Sequence, residues 1–300
     1  MAHVVVSGAS GLVGARLLPL LEARGYKAAR LVREYSAVSP EDVFWDPAAG
    51  ELDSDALEGV EAVVHLAGEN IAAGRWNAAR KARIRESRVD GTKLLCSKLA
   101  EMPRPPKVLV CASAIGYYGD RGDESLSEDA PAGEGFLPDV CREWEAASSA
   151  AEHAGIRVVR LRIGVVLSPK GGALKKMLFP FKMGSGGRIG SGDQFMSWIA
   201  IDDLAAAIVH CIETDSLSGA VNAVSPGVVT NKVFTKTLGK VLRRPTLIPL
   251  PPFVVRMVLG EMADGLLLAS AKVEPAALEA SGFEFEHNDL EGALRHLLGK

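Results

Sequence analysis

Gly8-Ala9-Ser10-Gly11-Leu12-Val13-Gly14 is the stretch on which the reading of this chain turns. It stands between a β-branched apolar run, Val4–Ser7, and an apolar-periodic segment from Leu12 to Arg24, so a strand, a glycine turn and a helix are expected. Each glycine has its own physical reason. Gly8 permits the tight turn, Gly11 lets the backbone approach a pyrophosphate, and Gly14 allows close packing of helix on strand. Ser10, Leu12 and Val13 complete the loop. The positive helix start near Leu12 would hold the anion on backbone N–H groups.

Outward from this loop the pattern repeats. Gly25 caps the first helix and Lys27–Arg33 reads as a second strand, which makes a βαβ unit with parallel strands. A dinucleotide site for NAD would place Asp or Glu at the end of that strand. This chain has Arg33, nineteen residues after Gly14, followed by Glu34. A guanidinium can grip a 2′-phosphate in bidentate fashion, so NADP is expected over NAD, with Glu34 the residue that would serve NAD. A third strand, Ala62–Leu66, runs into Ala67-Gly68-Glu69-Asn70. Its small residues allow a flat adenine or ribose to lie on the backbone, and Glu69 and Asn70 stand at the crevice.

Further strands are expected at Lys107–Ala112 and Arg157–Ile163. Helices are expected near Asn77–Ala100, Phe136–Ala154 and Asp202–Glu213. Strands alternating with helices imply an α/β fold of the Rossmann type, a doubly wound parallel sheet with helices on both faces. Residues 1–165 form the expected dinucleotide-binding core. Residues 166–300 return to it at about 198–225, and otherwise build a smaller, mostly helical C-terminal annex from about 170–197 and 240–300.

The bulk numbers exclude several classes. A length of 300 residues with 48% hydrophobic and 24% charged content suits a globular protein with a large core. A net charge of −3 leaves no basic footprint for nucleic acid. Cys96, Cys111, Cys141 and Cys211 are widely spaced without CxxC, and the six histidines lack HxxxH spacing, so neither a disulfide framework nor a metal site is expected. No secretory signal and no apolar stretch of spanning length is evident. A cytoplasmic monomer or homodimer acting on a small molecule is the expectation.

Together these features resemble the extended short-chain dehydrogenase/reductase family, in its epimerase-like members. The resemblance rests on the glycine loop, "LAGENI" (Leu66–Ile71) and "RW…SR" (Arg75-Trp76 to Ser87-Arg88). It also rests on "SAIGYYG" (Ser113–Gly119), "R.GVVL" (Arg162–Leu167), the stretch Leu178–Ile199, and Asn222-Ala223-Val224. It implies NADP bound by the glycine loop, Arg33, Leu66, Ala67, Gly68, Glu69 and Arg88, with Ser113 and the strand near Val165 beside it. For Arg88 the plain alternative is a solvated helix face.

Ordinary members use a Ser/Thr with a YxxxK pair, whose lysine tunes the tyrosine for proton transfer. Aligned on Tyr118-Gly119, the serine position falls on Ala114; with Glu145 taken as the acidic residue that often follows the pair, the tyrosine and lysine positions fall on Leu137 and Cys141. That triad is absent. Tyr117 and Glu69 are the candidates for acid/base work, with Cys141 a weaker one as nucleophile. Two functions follow. One is an NADP-dependent oxidoreductase or epimerase-like enzyme with non-standard catalytic residues, nucleotide-linked compounds being among its candidate substrates. The other is a catalytically silent NADP-binding sensor or scaffold.

Overall fold

In a computed structural model that describes residues 2–33 and 41–300, eight strands form one sheet. Across it the order is Gly219–Ala223, Arg157–Ile163, Val108–Ala114, Ala62–His65, His3–Ser7, Lys27–Val32, Val43–Asp46 and Glu51–Leu52. Every neighbouring pair is parallel except the last. The chain begins at His3–Ser7 and winds outward in one direction to Val43–Asp46. It then returns to Ala62–His65, on the far side of the first strand, and winds outward in the other direction. The order therefore reverses between His3–Ser7 and Ala62–His65, and a crevice opens there at the carboxyl ends of the strands.

Side chains of period two divide the core between the two faces. Val4, Val6, Val64 and Val110 pack with Leu17 and Leu21 of the helix Gly14–Ala23 and with Leu204 and Ile208 of the helix Ile201–Glu213. Val5, Val63 and Leu109 face the opposite way, against Leu95 and Leu99 of the helix Ala78–Ala100. Both faces are thus covered, which explains why these strands are continuous apolar runs. A further core surrounds the fully buried Trp198, with Leu178 of Gly172–Lys182, Phe234 and Leu238 of Asn231–Leu242, and Leu294 of Leu290–Leu298.

The C-terminal segment threads back along the sheet and is held by core side chains. Ser197 Oγ donates to Ala271 O (2.8 Å) and accepts from Val273 N (2.9 Å). Asn222 Nδ2 donates to Glu274 O (2.9 Å), and Glu128 Oε1 accepts from Ala277 N (3.1 Å). The Asp203 carboxylate accepts from the N–H groups of Glu286 and His287 at 2.9 and 3.1 Å.

Three local expectations change. The helix expected over 136–154 is two, Phe136–Ala146 and Ser149–His153. Ser148 Oγ donates to Glu145 O (2.7 Å) at the break, the local side-chain-to-backbone bond that competes with helix continuation. The short outer strands Val43–Asp46 and Glu51–Leu52 were not expected. The region 253–298 is less helical than its periodicity suggests: Lys272–Val273 is a strand, paired in parallel with Ser125–Leu126. Among the described residues no helix is long and apolar enough to cross a membrane.

Candidate functional site: the crevice at the glycine loop

The loop Gly8–Gly14 sits at the reversal point of the sheet. Gly8 has φ +67°, and a Cβ there would lie 2.8 Å from the carbonyl carbon of Leu66 and the nitrogen of Ala67. Only glycine combines that backbone with so close an approach to the next strand. At Gly14, the first residue of the helix, a Cβ would fall 2.6 Å from Ala9 Cα and Gly8 O. Gly11 differs: its missing side chain would meet only Gly8 O, at 3.0 Å. The turn is closed by Gly11 N–H donating to Gly8 O (2.9 Å).

The end of the neighbouring strand is tied to this loop. Ser7 Oγ accepts from the N–H groups of Leu66 (3.1 Å) and Ala67 (3.2 Å), so its proton is given to His65 Nδ1 at 2.7 Å. This fixes the neutral tautomer of His65, with its proton on Nε2. The ring stands edge-on to Trp45 at 5.6 Å. Burial pushes the His65 pKa down to about 4, so it is neutral near pH 7.

Arg88 comes from the helix Ala78–Ala100 and reaches the same place. Its Nη1 donates to Glu69 O (3.1 Å) and Ile84 O (3.1 Å), and its guanidinium lies over the Trp144 ring at 5.1 Å. A Cβ on Gly68 would stand 3.4 Å from that guanidinium. Burial lowers the Arg88 pKa, opposed by Cys141 and Glu69. The solvated-face alternative for Arg88 does not describe this environment. The structure therefore brings together Gly8, Leu66, Ala67, Gly68, Glu69 and Arg88. Arg33 lies exposed at the end of Lys27–Val32, while Glu34 lies outside the described residues.

On the other side of the loop is a cleft of about 550 Å³, lined by Ser10, Gly11, Arg16, Lys170, Asp202 and His296 among others. Leu12 also borders this cleft, and Val13 is the N-cap of the helix. Val165 opens the short strand Val165–Leu167, which pairs with Trp198–Ala200 beyond the end of Arg157–Ile163.

The catalytic candidates are placed less favourably. Glu69 accepts from Arg80 Nη1 at 2.8 Å, and its own N–H donates to Ser87 Oγ (3.0 Å), so its carboxylate is already paired. Tyr117 carries the Arg162 guanidinium 3.6 Å above its ring centroid. Ser113 is buried and donates to Glu145 Oε1 at 2.7 Å, so its hydroxyl proton is already engaged.

The helix Phe136–Ala146 runs beside this strand end. Cys141 Sγ lies 3.7 Å from Ala114 O, and a Cβ on Gly116 would stand 3.4 Å from Leu137 Cβ. Leu137 and Cys141 thus flank the strand end. Burial pushes the Cys141 thiol up to about 12, which leaves almost no thiolate near neutral pH and removes the case for a nucleophile.

The polar centre that sequence reasoning missed is Arg162. It binds Glu145 through two nitrogens, Nε and Nη2, each at 2.9 Å, and Nη1 donates to Tyr118 Oη and to Glu128 O, both at 3.0 Å. Tyr118 in turn donates to Asn222 Oδ1 at 2.7 Å. A signal was present: Arg157, Arg160 and Arg162 punctuate an otherwise apolar strand that is paired on both sides. Arg157 ends on the carbonyls of Cys211, Ile212 and Leu217, near the carboxyl end of the helix Ile201–Glu213.

The chain matches the NAD dependent epimerase/dehydratase family over residues 4–223, and a domain of unknown function, DUF1731, over residues 250–297. It is 44% identical to the epimerase family protein Mb2239 of Mycobacterium bovis, covering 98% of this chain and 96% of that protein. The human epimerase family protein SDR39U1, crystallised with NADPH, superposes with a TM-score of 0.91 at 36% identity, covering 99% of both chains. A nucleoside-diphosphate sugar epimerase from Corynebacterium glutamicum gives a TM-score of 0.83 at 39% identity, where this chain spans 58% of the longer protein. The chain belongs to the NAD dependent epimerase/dehydratase family.

Proposed function

We propose that the chain binds NADP(H) in the crevice at the glycine loop and is an oxidoreductase or epimerase-like enzyme with non-standard acid/base residues. The observation that carries this reading is the glycine cradle at the reversal point, with Gly8 pressed against Leu66 and Ala67 and Arg88 brought to Gly68 and Glu69. Ser10, Gly11, Leu12, Val13 and Gly14 offer the helix start to the pyrophosphate. Arg33 receives the 2′-phosphate, with Ser113 and Val165 on the nicotinamide side. The human relative with NADPH supports the choice of cofactor.

Tyr117 is the proposed proton donor at the strand end, and Glu69 the second polar group of the crevice. A second reading, a silent NADP-binding sensor or scaffold, is favoured by one observation: the side chains that the helix Phe136–Ala146 brings to the strand end are Leu137 and Cys141, neither of which can replace a YxxxK pair.

Fluorescence titration tests the cofactor. NADPH is expected to bind at least tenfold more tightly than NADH, and Arg33→Ala to remove most of that preference, a loss of about 1–2 kcal/mol for an exposed phosphate contact. Equal affinities, or an unchanged preference in the variant, would end the 2′-phosphate assignment. Turnover is tested by NADPH oxidation against carbonyl compounds and nucleotide sugars. Activity reduced at least a hundredfold by Tyr117→Phe is expected. Tight binding without turnover on any of them would move the conclusion to the sensor.

A further inference from the structure

Beside the cleft, three side chains far apart in sequence converge. His296 Nε2 lies 3.1 Å from Asp202 Oδ2, and the His296 ring is 4.3 Å from the ring of His287. One ligand atom from each of the three residues falls within 4.8 Å of the others. His287 Nε2 is buried and has no hydrogen-bond partner among the described residues. A buried ring nitrogen left unsatisfied next to a second imidazole and a carboxylate is a costly arrangement unless something binds it.

We propose that Asp202, His287 and His296 form a binding site for a divalent transition metal, zinc being the best match to two imidazoles and one carboxylate. The site adjoins the glycine loop, because Asp202 and His296 share their cleft with Ser10, Gly11 and Leu12, but its three ligands are none of the residues assigned to the dinucleotide. Each ligand is held by a different part of the fold. Asp202 opens the helix Ile201–Glu213, and Arg16 occupies its Oδ1, leaving Oδ2 for the metal. His287 is fixed by its backbone: its N–H donates to Asp203 Oδ2 (3.1 Å) and its carbonyl accepts from Ser225 Oγ (3.2 Å). His296 lies in the last turn of Leu290–Leu298, with its side chain 53% exposed.

Tetrahedral zinc with Zn–N bonds of roughly 2.0–2.1 Å needs ligand atoms about 3.3 Å apart. Rotation of His296 closes that gap, and the metal then replaces the proton in the contact between His296 and Asp202. The Arg16 cation opposes metal binding and sets an upper limit to its strength. Asp202 and His296 also line the cleft, so the remaining coordination position is open to water or to an anionic ligand entering there. The absence of HxxxH spacing in the sequence argued against a metal. The ligands come instead from two helices and the segment before the second of them, which spacing along the chain cannot show.

The test uses the full chain, stripped of metal, without dinucleotide. Cobalt(II) is titrated and its visible d–d bands are followed, then zinc is added as competitor, and thermal melting is recorded with and without zinc. One equivalent of cobalt with tetrahedral bands, displacement by zinc, and a higher Tm with zinc are expected for the natural sequence. His296→Gln and His287→Gln should each weaken binding at least tenfold and remove the Tm shift. The glutamine at 296 keeps an amide able to hydrogen-bond Asp202 at an exposed position. It therefore decides the question if His287→Gln lowers the native fraction. No bands and no Tm shift in the natural sequence, or less than tenfold weakening in a folded variant, would overturn the assignment.

Discussion

Replacement of Arg162 by methionine is expected to lower the stability of the fold by about 3–5 kcal/mol, read from denaturant unfolding at pH 7. The side chains of Arg162 and Glu145 are only 5% and 11% exposed, so the pair has little water to fall back on. Burial works to lower the Arg162 pKa, but Glu145 and Tyr118 outweigh it and raise it, so the guanidinium stays charged. Methionine fills much of the volume but leaves the Glu145 carboxylate with the Ser113 hydroxyl as its remaining hydrogen-bond donor from this cluster. The Tyr118 hydroxyl and the Glu128 carbonyl lose a donor as well. Such a loss exceeds a surface ion pair by several-fold, because the uncompensated charge stays buried. The double variant Arg162→Met with Glu145→Leu should recover a large part of the loss, since removing both charges spares the stranded one. A loss below about 1 kcal/mol in the single variant would show that the pair is wetter than its burial indicates.

Acid should weaken the fold through His65 in a defined window. The folded-state pKa of about 4 lies below the ordinary value of 6.5, so the unfolded chain takes up the proton first as pH falls. The stability held by the neutral ring is complete above pH 6.5, declines as pH falls below that value, and stops declining below about 4. A shift of this size corresponds to about 3 kcal/mol over the whole window. Carboxylates titrate in the lower part of the same range, so the His65 share is isolated by difference. His65→Gln does not titrate, and the gap in unfolding free energy between the natural chain and this variant should narrow by about 2 kcal/mol from pH 7.5 to pH 5. A gap independent of pH would mean that His65 is accessible to protons in the folded state.

Much of this architecture was legible because the residues that decide it are local. The glycine loop, the Val4–Val6 strand and the Arg157–Ile163 strand are read from neighbours in sequence, and a parallel sheet follows from their alternation with helices. The break at Ser148 was not legible, because the helical periodicity continues through it while one hydroxyl bond ends the helix. Arg88 illustrates a different limit. Its helix offers several arginines, and only the packing of Gly68 and Trp144 around one of them selects it. The Arg162 cluster draws on positions 118, 128, 145 and 222, and the metal-ligand cluster on 202, 287 and 296. Neither has a spacing that a motif could register, since both are products of topology.

The stitching of the C-terminal segment to the sheet bears on how the molecule is made. Ser197, Asp203 and Asn222 are buried in the finished fold, yet their backbone partners are residues 271–287. A ribosome releases those partners after every strand of the eight-stranded sheet has already emerged. Until then the nascent sheet has its apolar faces but keeps three polar side chains wet, so collapse precedes closure. Contacts spanning that much chain are slow to form, so closure of this segment is expected to follow assembly of the sheet. The growing polypeptide is therefore expected to be most vulnerable to chaperones and proteases in the interval before residues 271–287 arrive.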